Sequence, residues 1–236
     1  MEDKTLRVSE HSSDWNPKHL DIVAGAFVAC LLMSNVAAAK LFSLGPAVFT
    51  CGILIFPLSY IFGDILTEVY GYTRTRRIIW LGMLANVLLV ATLQISVSLP
   101  PAPGWLLQDA FAAVHAVVPR IVIASLVAYA IGEFANSMVI SQLKVRMQGR
   151  KLWFRSIAST VVGQFLDSAL FVAIAFGGIM PISILLAAVI SSWIFKIAYE
   201  VVIYPLTFVC IKTLKRLEGV EHFDVHTDYN PLRLRM

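Results

Sequence analysis

The chain has 236 residues, 58% of them hydrophobic and 14% charged, with a mean hydropathy of +0.76; this excludes an ordinary soluble domain and indicates a polytopic membrane protein in contact with a lipid bilayer. A formal net charge of +4 would raise nucleic acid as a partner for a soluble chain, but in a membrane protein the placement of the charges decides, and no nucleic acid is expected. Cys30, Cys51 and Cys210 lie in separate apolar stretches without metal-ligand spacing, so neither a disulfide framework nor a metal centre is implied.

Residues 1–19 are polar and charged and are followed by an apolar run without a small-residue cleavage pattern, so that run is expected to be retained as a first span. Six stretches supply the roughly 20 apolar residues that cross a bilayer core: Leu20 to Ser43, Pro46 to Tyr70, Ile78 to Leu99, Ile121 to Leu143, Ile157 to Ile179, and Ile182 to Leu214, the last long enough to project beyond the membrane. Between the third and fourth, Pro100-Pro101-Ala102-Pro103-Gly104 breaks the chain, and Trp105 to Val118 reads as a short amphipathic segment at the interface. The expected organisation is a cytoplasmic segment over 1–19, a six-helix transport domain over 20–217, and a cytoplasmic tail over 218–236. The fold class is all-α.

Charge placement sets the expected orientation. Sixteen of the 19 Lys and Arg residues fall in the N-terminal segment, the connection around Arg74, Arg76 and Arg77, the connection from Lys144 to Arg155, and the region from Lys212 onward. The alternate connections lack them apart from the boundary residues Lys40 and Arg120, which predicts both termini in the cytoplasm, while Lys196 lies mid-span.

Three spans carry a similar hexapeptide: Gly63-Asp64-Ile65-Leu66-Thr67-Glu68, Gly132-Glu133-Phe134-Ala135-Asn136-Ser137 and Gly163-Gln164-Phe165-Leu166-Asp167-Ser168. The polar positions recur at i, i+3 and i+4, so each copy places a polar stripe and a small residue on a helix otherwise suited to lipid. Ionisable groups at that depth cost several kcal/mol unless paired or hydrated, which makes Asp64, Glu68, Glu133, Asp167 and Glu200 functional candidates. Glu68, near the basic connection, reads equally well as a boundary ion pair with Arg74, Arg76 or Arg77. The last span offers Lys196, Tyr199 and Glu200, and the lysine and glutamate can pair at i, i+4. In the first span, Ser34 and Asn35 are mid-span polar residues. The candidate substrate-binding set is Asn35, Asp64, Glu133, Asn136, Gln164, Asp167, Lys196, Tyr199 and Glu200.

Trp15, Trp80, Trp105 and Trp153 fall near interfaces and read as anchors. Trp193 or Tyr199 could offer a flat face to a planar ligand. The chain carries no phosphate-cradling glycine loop, haem-type histidine pair or Ser-His-Asp arrangement, so neither an enzyme nor a cofactor is expected. Polar groups converging near the midplane from several helices point to a transporter of a small polar solute. The alternatives are a substrate-binding subunit of an ATP-driven vitamin importer and a membrane-embedded lipid enzyme; a homodimer is compatible with either transport reading.

Ser34-Asn35, Gly63 to Gly71 closing the second span, Pro119-Arg120-Ile121 opening the fourth, Gly163 to Ser168 in the fifth, and the tail Thr227-Asp228-Tyr229-Asn230-Pro231, taken in order, resemble the queuosine precursor transporter family, also called the vitamin uptake transporter family. The resemblance covers nearly the whole chain. It implies a six-helix importer of the bacterial inner membrane, carrying 7-cyano-7-deazaguanine and 7-aminomethyl-7-deazaguanine for salvage of the tRNA modification queuosine. Such a purine-like substrate presents adjacent N–H donors that a carboxylate accepts, for which Asp167 or Glu133 would serve, with Gln164, Asn136 and Asn35 completing the edge.

Overall fold

The computed structural model describes residues 6–10, 15–44, 47–115 and 119–233. Lys4, Pro46, Arg235 and the last residues of the expected interfacial segment, 116–118, lie outside them. The described elements are β1 (Arg7–Ser9), α1 (Leu20–Ala37), β2 (Leu41–Leu44), β3 (Ala47–Thr50), a 3-10 turn (Cys51–Leu54), α2 (Phe56–Tyr70), α3 (Tyr72–Ser98), α4 (Gln108–His115), α5 (Pro119–Arg146), α6 (Leu152–Phe176), α7 (Ile182–Glu218) and β4 (Val220–His222). Six helices are long and apolar enough to cross a membrane, and α4 is the short segment expected at the interface. The fold is all-α apart from two two-stranded sheets.

Several element boundaries differ from the sequence expectation. The first helix stops at Ala37 rather than reaching Ser43, and β2 and β3 pair antiparallel with Leu41 opposite Thr50. Residues 41–50 are rich in aromatic and β-branched types, which favour strand over helix. The second helix therefore begins only at Phe56, with Pro57 in its first turn, where the missing N–H costs nothing. The third helix begins at Tyr72, so Arg74, Arg76 and Arg77 belong to its first turns rather than to a loop. Gly71 alone separates α2 from α3; its φ of 83° lies in the left-handed region, and a Cβ there would collide with the His222 ring. The last helix runs on to Glu218 and ends at Gly219, with φ 69° and its N–H on Lys215 O, a left-handed C-cap.

Helix packing exploits the small residues of the hexapeptides. A Cβ at Gly132 would lie 2.9 Å from Gly163 O, and one at Gly163 would lie 2.8 Å from Gly132 O, so α5 and α6 meet backbone to backbone at their glycines. Apolar side chains on α3 and α7, among them Leu84, Leu88, Ile95, Ile190, Ile194 and Val202, are exposed, as lipid-facing residues must be. The apolar core joins Phe27, Leu31, Ile65, Leu66, Tyr70, Ile79 and Ile211 across α1, α2, α3 and α7.

The first and last described segments lie at one end of the bundle. β1 and β4 pair in parallel there, with Ser9 opposite His222. Arg76 donates to the carbonyls of Asp228 and Asn230, both at 2.8 Å, and Trp80 Nε1 donates to Pro231 O at 2.8 Å. Arg74 donates to Trp15 O at 2.7 Å and its guanidinium sits 4.7 Å from the centre of the Trp15 ring. Trp15 and Trp80 are thus fixed by protein contacts, whereas Trp105 and Trp153 are exposed, consistent with interface anchors.

Candidate functional site

Polar side chains occupy the bundle axis in three tiers. At the end opposite β1 and β4, a cavity of about 630 Å³ is lined by residues of all seven helices and the 3-10 turn, a size within the usual range for small-molecule sites. Its polar lining includes Ser34, Asn35, Asn86, Asp167, Ser168 and Lys196, and its apolar lining includes Phe56 and Phe171. Lys196 pairs with Asp167, lies 3.4 Å from Ser168 Oγ, and sits 5.0 Å from the centre of the Phe56 ring. Asn35 donates to Asn86 across the cavity wall. An anion, a cation, two amides and two aromatic faces therefore converge on one open volume.

Beneath the cavity lies a tier closed to solvent. Asp64 accepts from Asn136 Nδ2 at 2.8 Å and from Ser156 Oγ; Glu200 accepts from Thr160 Oγ1 at 2.5 Å, and Ser156 Oγ is also 3.4 Å from it. Glu133 is fully buried, and neither carboxyl oxygen has a hydrogen-bond partner. Its Oε1 lies over Gly63 so closely that a Cβ there would overlap it. Asn136 Oδ1, Ser137 Oγ, Gln164 Oε1 and the hydroxyls of Tyr60 and Tyr129 are likewise buried without partners.

The third tier, at the terminal end, is an ion cluster. Glu68 Oε1 accepts from Arg155 Nη2 at 2.8 Å and Lys215 Nζ at 2.6 Å, with Lys144 Nζ at 3.4 Å. Lys144 and Lys215 each also reach Glu221 Oε1 at 2.7 Å. Burial would raise the Glu221 carboxyl, but Lys144 and Lys215 outweigh it and hold it below the ordinary range. The expected pairing of Glu68 with Arg74, Arg76 or Arg77 is therefore corrected. Arg74 reaches the N-terminal segment and Arg76 the tail, and the cations on Glu68 come from α5, α6 and α7.

The nine candidate residues separate by tier. Asn35, Asp167 and Lys196 line the cavity; Asp64, Glu133, Asn136, Gln164 and Glu200 belong to the closed tier. Tyr199 lies in neither, its hydroxyl 3.3 Å from Leu54 O. Lys196 and Glu200 do not form the i, i+4 pair, because Asp167 on α6 gives the lysine a nearer partner and Thr160 serves the glutamate. Trp193 packs edge-on against Phe165 and donates to Val161 O, so the flat faces at the cavity are Phe56 and Phe171. Sequence reasoning passed over Asn86, an amide in an apolar span without the hexapeptide pattern, and Ser156, Thr160 and Arg155, which fell in or near an expected cytoplasmic connection.

Residues 50–210 match the family model described as "Putative vitamin uptake transporter". The chain is 28% identical over 191 residues to the "Probable queuosine precursor transporter" of Bacillus subtilis (strain 168), covering 80% of this chain and 82% of that protein. It is 32% identical over 127 residues to the "Queuosine precursor transporter" of Escherichia coli (strain K12), covering 54% of this chain and 55% of that protein. A third relative, the "Probable queuosine precursor transporter" of Haemophilus influenzae, is 26% identical over 165 residues, covering 67% and 66%. No solved structure matches. With the six spans and the axial polar tiers, the match over most of its length shows that the chain belongs to the vitamin uptake transporter family.

Proposed function

We propose that this chain is a carrier, not an enzyme, that imports the queuosine precursors 7-cyano-7-deazaguanine and 7-aminomethyl-7-deazaguanine across the bacterial inner membrane, with both termini in the cytoplasm. The relatives' names support the substrate class. The observation that carries the site assignment is the adjacent Asp167 and Lys196 on the cavity floor. The pairing edge of a deazaguanine offers two neighbouring N–H donors beside a carbonyl acceptor. A carboxylate matches the donors in a bidentate manner and an ammonium matches the acceptor, so Asp167 and Lys196 read that edge together. Asn35 and Asn86 supply further polar contacts, and Phe56 and Phe171 cover the ring faces.

In a cell that cannot make the precursor but can use it, expression of the chain restores queuosine in tRNA when the precursor is supplied. Asp167→Asn removes a charge-assisted contact of about 1.5–3 kcal/mol, which lowers uptake by about one to two orders of magnitude. Unchanged uptake in Asp167→Asn contradicts the proposed site.

A further inference from the structure

Four carboxyl groups share the cavity floor and the closed tier, namely Asp64 on α2, Glu133 on α5, Asp167 on α6 and Glu200 on α7, and all four are buried. Among the described residues, one cation, Lys196, is in contact with them, and it is taken by Asp167. Arg155, Lys144 and Lys215 are engaged with Glu68 and Glu221 at the terminal end. Asp64 and Glu200 share the hydroxyl of Ser156, which has one proton to give, and their remaining donors are Asn136 and Thr160, both neutral. An unpaired carboxylate out of contact with water is so costly that the group takes up a proton instead. The closed tier is therefore electrically balanced only when it holds protons.

Glu133 is the extreme case. The groups facing it are Tyr60 and Asp64 from α2, Tyr129 from its own helix, Asp167 from α6 and Glu200 from α7, with Lys196 reached only through Asp167. None is a free cation, and neither of its oxygens receives a hydrogen bond. It is also placed between the other groups. Gly132, its chain neighbour, abuts the Asp167 side chain on the cavity side, and its carboxyl rests on Gly63, the residue before Asp64. Separation of α2 from α5 at that contact is what would let water reach it.

We propose that Glu133 carries a proton that crosses with the solute, making transport proton-coupled symport; this rests on the carrier reading above. The proton comes from water on the cavity side, neutralises Glu133 while the bundle is closed around it, and returns to water at the terminal side once α2 and α5 part. Glu133 does not line the cavity, so solute at Asp167 and Lys196 and a proton at Glu133 are held at the same time, which is the condition for symport rather than exchange.

The test uses the purified chain in liposomes, with labelled 7-cyano-7-deazaguanine as solute. Exchange of labelled for unlabelled solute without any gradient reports the carrier; accumulation under an alkaline interior with the membrane potential clamped reports coupling. One proton per solute gives about tenfold accumulation per pH unit. In Glu133→Gln, exchange continues and accumulation falls to a ratio of one. Exchange without accumulation in the wild type, accumulation driven by sodium instead of protons, or full accumulation in Glu133→Gln overturns the coupling while leaving the carrier reading in place. Absence of any exchange removes the carrier reading for this solute. Coupling is then judged on infrared spectra of the solute-free protein at neutral pH: a carboxylic acid carbonyl band that disappears in Glu133→Gln and persists in Asp167→Asn supports it, and the lack of such a band overturns it.

Discussion

A single carboxylate, Glu68, shows how residue chemistry divides this interior into parts that hold and parts that work. It is fully out of solvent yet surrounded by Arg155, Lys144 and Lys215, so its charge is satisfied by design of the fold. Glu68→Gln leaves those cations without their common anion. Breaking a buried pair in this way costs about 3–5 kcal/mol, and a large drop in the thermal midpoint in detergent is expected. Asp167 differs, because its partner Lys196 is partly exposed in the cavity and can be shared with a ligand. Asp167→Asn is expected to reduce uptake much more than it reduces the thermal midpoint, and a loss of both in proportion would assign the pair a structural role only.

Asp224 in the tail gives a pH-dependent counterpart. Burial would raise its carboxyl, but hydrogen bonds from His222, Ser141 at 2.6 Å and the Tyr72 N–H at 2.9 Å outweigh that and hold it below the usual range. A depressed folded value means that the contribution to stability is complete above the unfolded value of about 4 and is lost as pH falls through the folded value. The difference in thermal midpoint between the wild type and Asp224→Asn should therefore be constant near neutrality and shrink in acid below about pH 4. A difference independent of pH would show that Asp224 acts through shape alone.

At the scale of elements, the glycines decide which helices touch. Gly63 receives the carboxyl of Glu133, and Gly132 and Gly163 bring α5 and α6 together. Gly63→Ala inserts a methyl where Glu133 Oε1 lies, so a loss of about 1–3 kcal/mol is expected on thermal unfolding, with part of it recovered in the double variant with Glu133→Ala. Neutrality of Gly63→Ala would mean that α2 and α5 do not meet as described. Much of this level was legible in the sequence, since the hexapeptide spacing put a small residue beside each polar stripe. What the stripes could not show was their pairing. Asn136 bonds Asp64 on another copy of the pattern, and Lys196 reaches across to Asp167 rather than along its own helix to Glu200. Such partners are set by helix rotation and depth, which one helix's periodicity does not contain. The hairpin of β2 and β3 was missed for a related reason: its apolar run reads equally well as the end of a span.

For the whole molecule, hydropathy and charge placement made the six spans legible, because a bilayer imposes one length and one composition on each. The tail was less legible. It is polar and short, yet Asp224, Tyr229 and Pro231 bond to α3 and α5 and close the terminal end of the axis. The first and last described segments belong to that end, which also carries most of the basic residues, so a fluorescent protein fused after the last residue should be bright and a periplasmic phosphatase at the same place inactive. The reverse pattern would invert the molecule and place its cavity on the cytoplasmic side. In the expected orientation the cavity faces outward, ready to receive solute, while the Glu68 cluster and the tail seal the opposite end.

The most direct measurement is uptake of labelled 7-cyano-7-deazaguanine by the purified chain alone in liposomes, compared with guanine and with Asp167→Asn. The expected result is saturable uptake of the deazaguanine without added ATP or partner subunits, weaker uptake of guanine, and a loss of about one to two orders of magnitude in Asp167→Asn. Equal handling of both bases, or deazaguanine uptake unaffected by Asp167→Asn, would contradict the assignment of the cavity to this substrate.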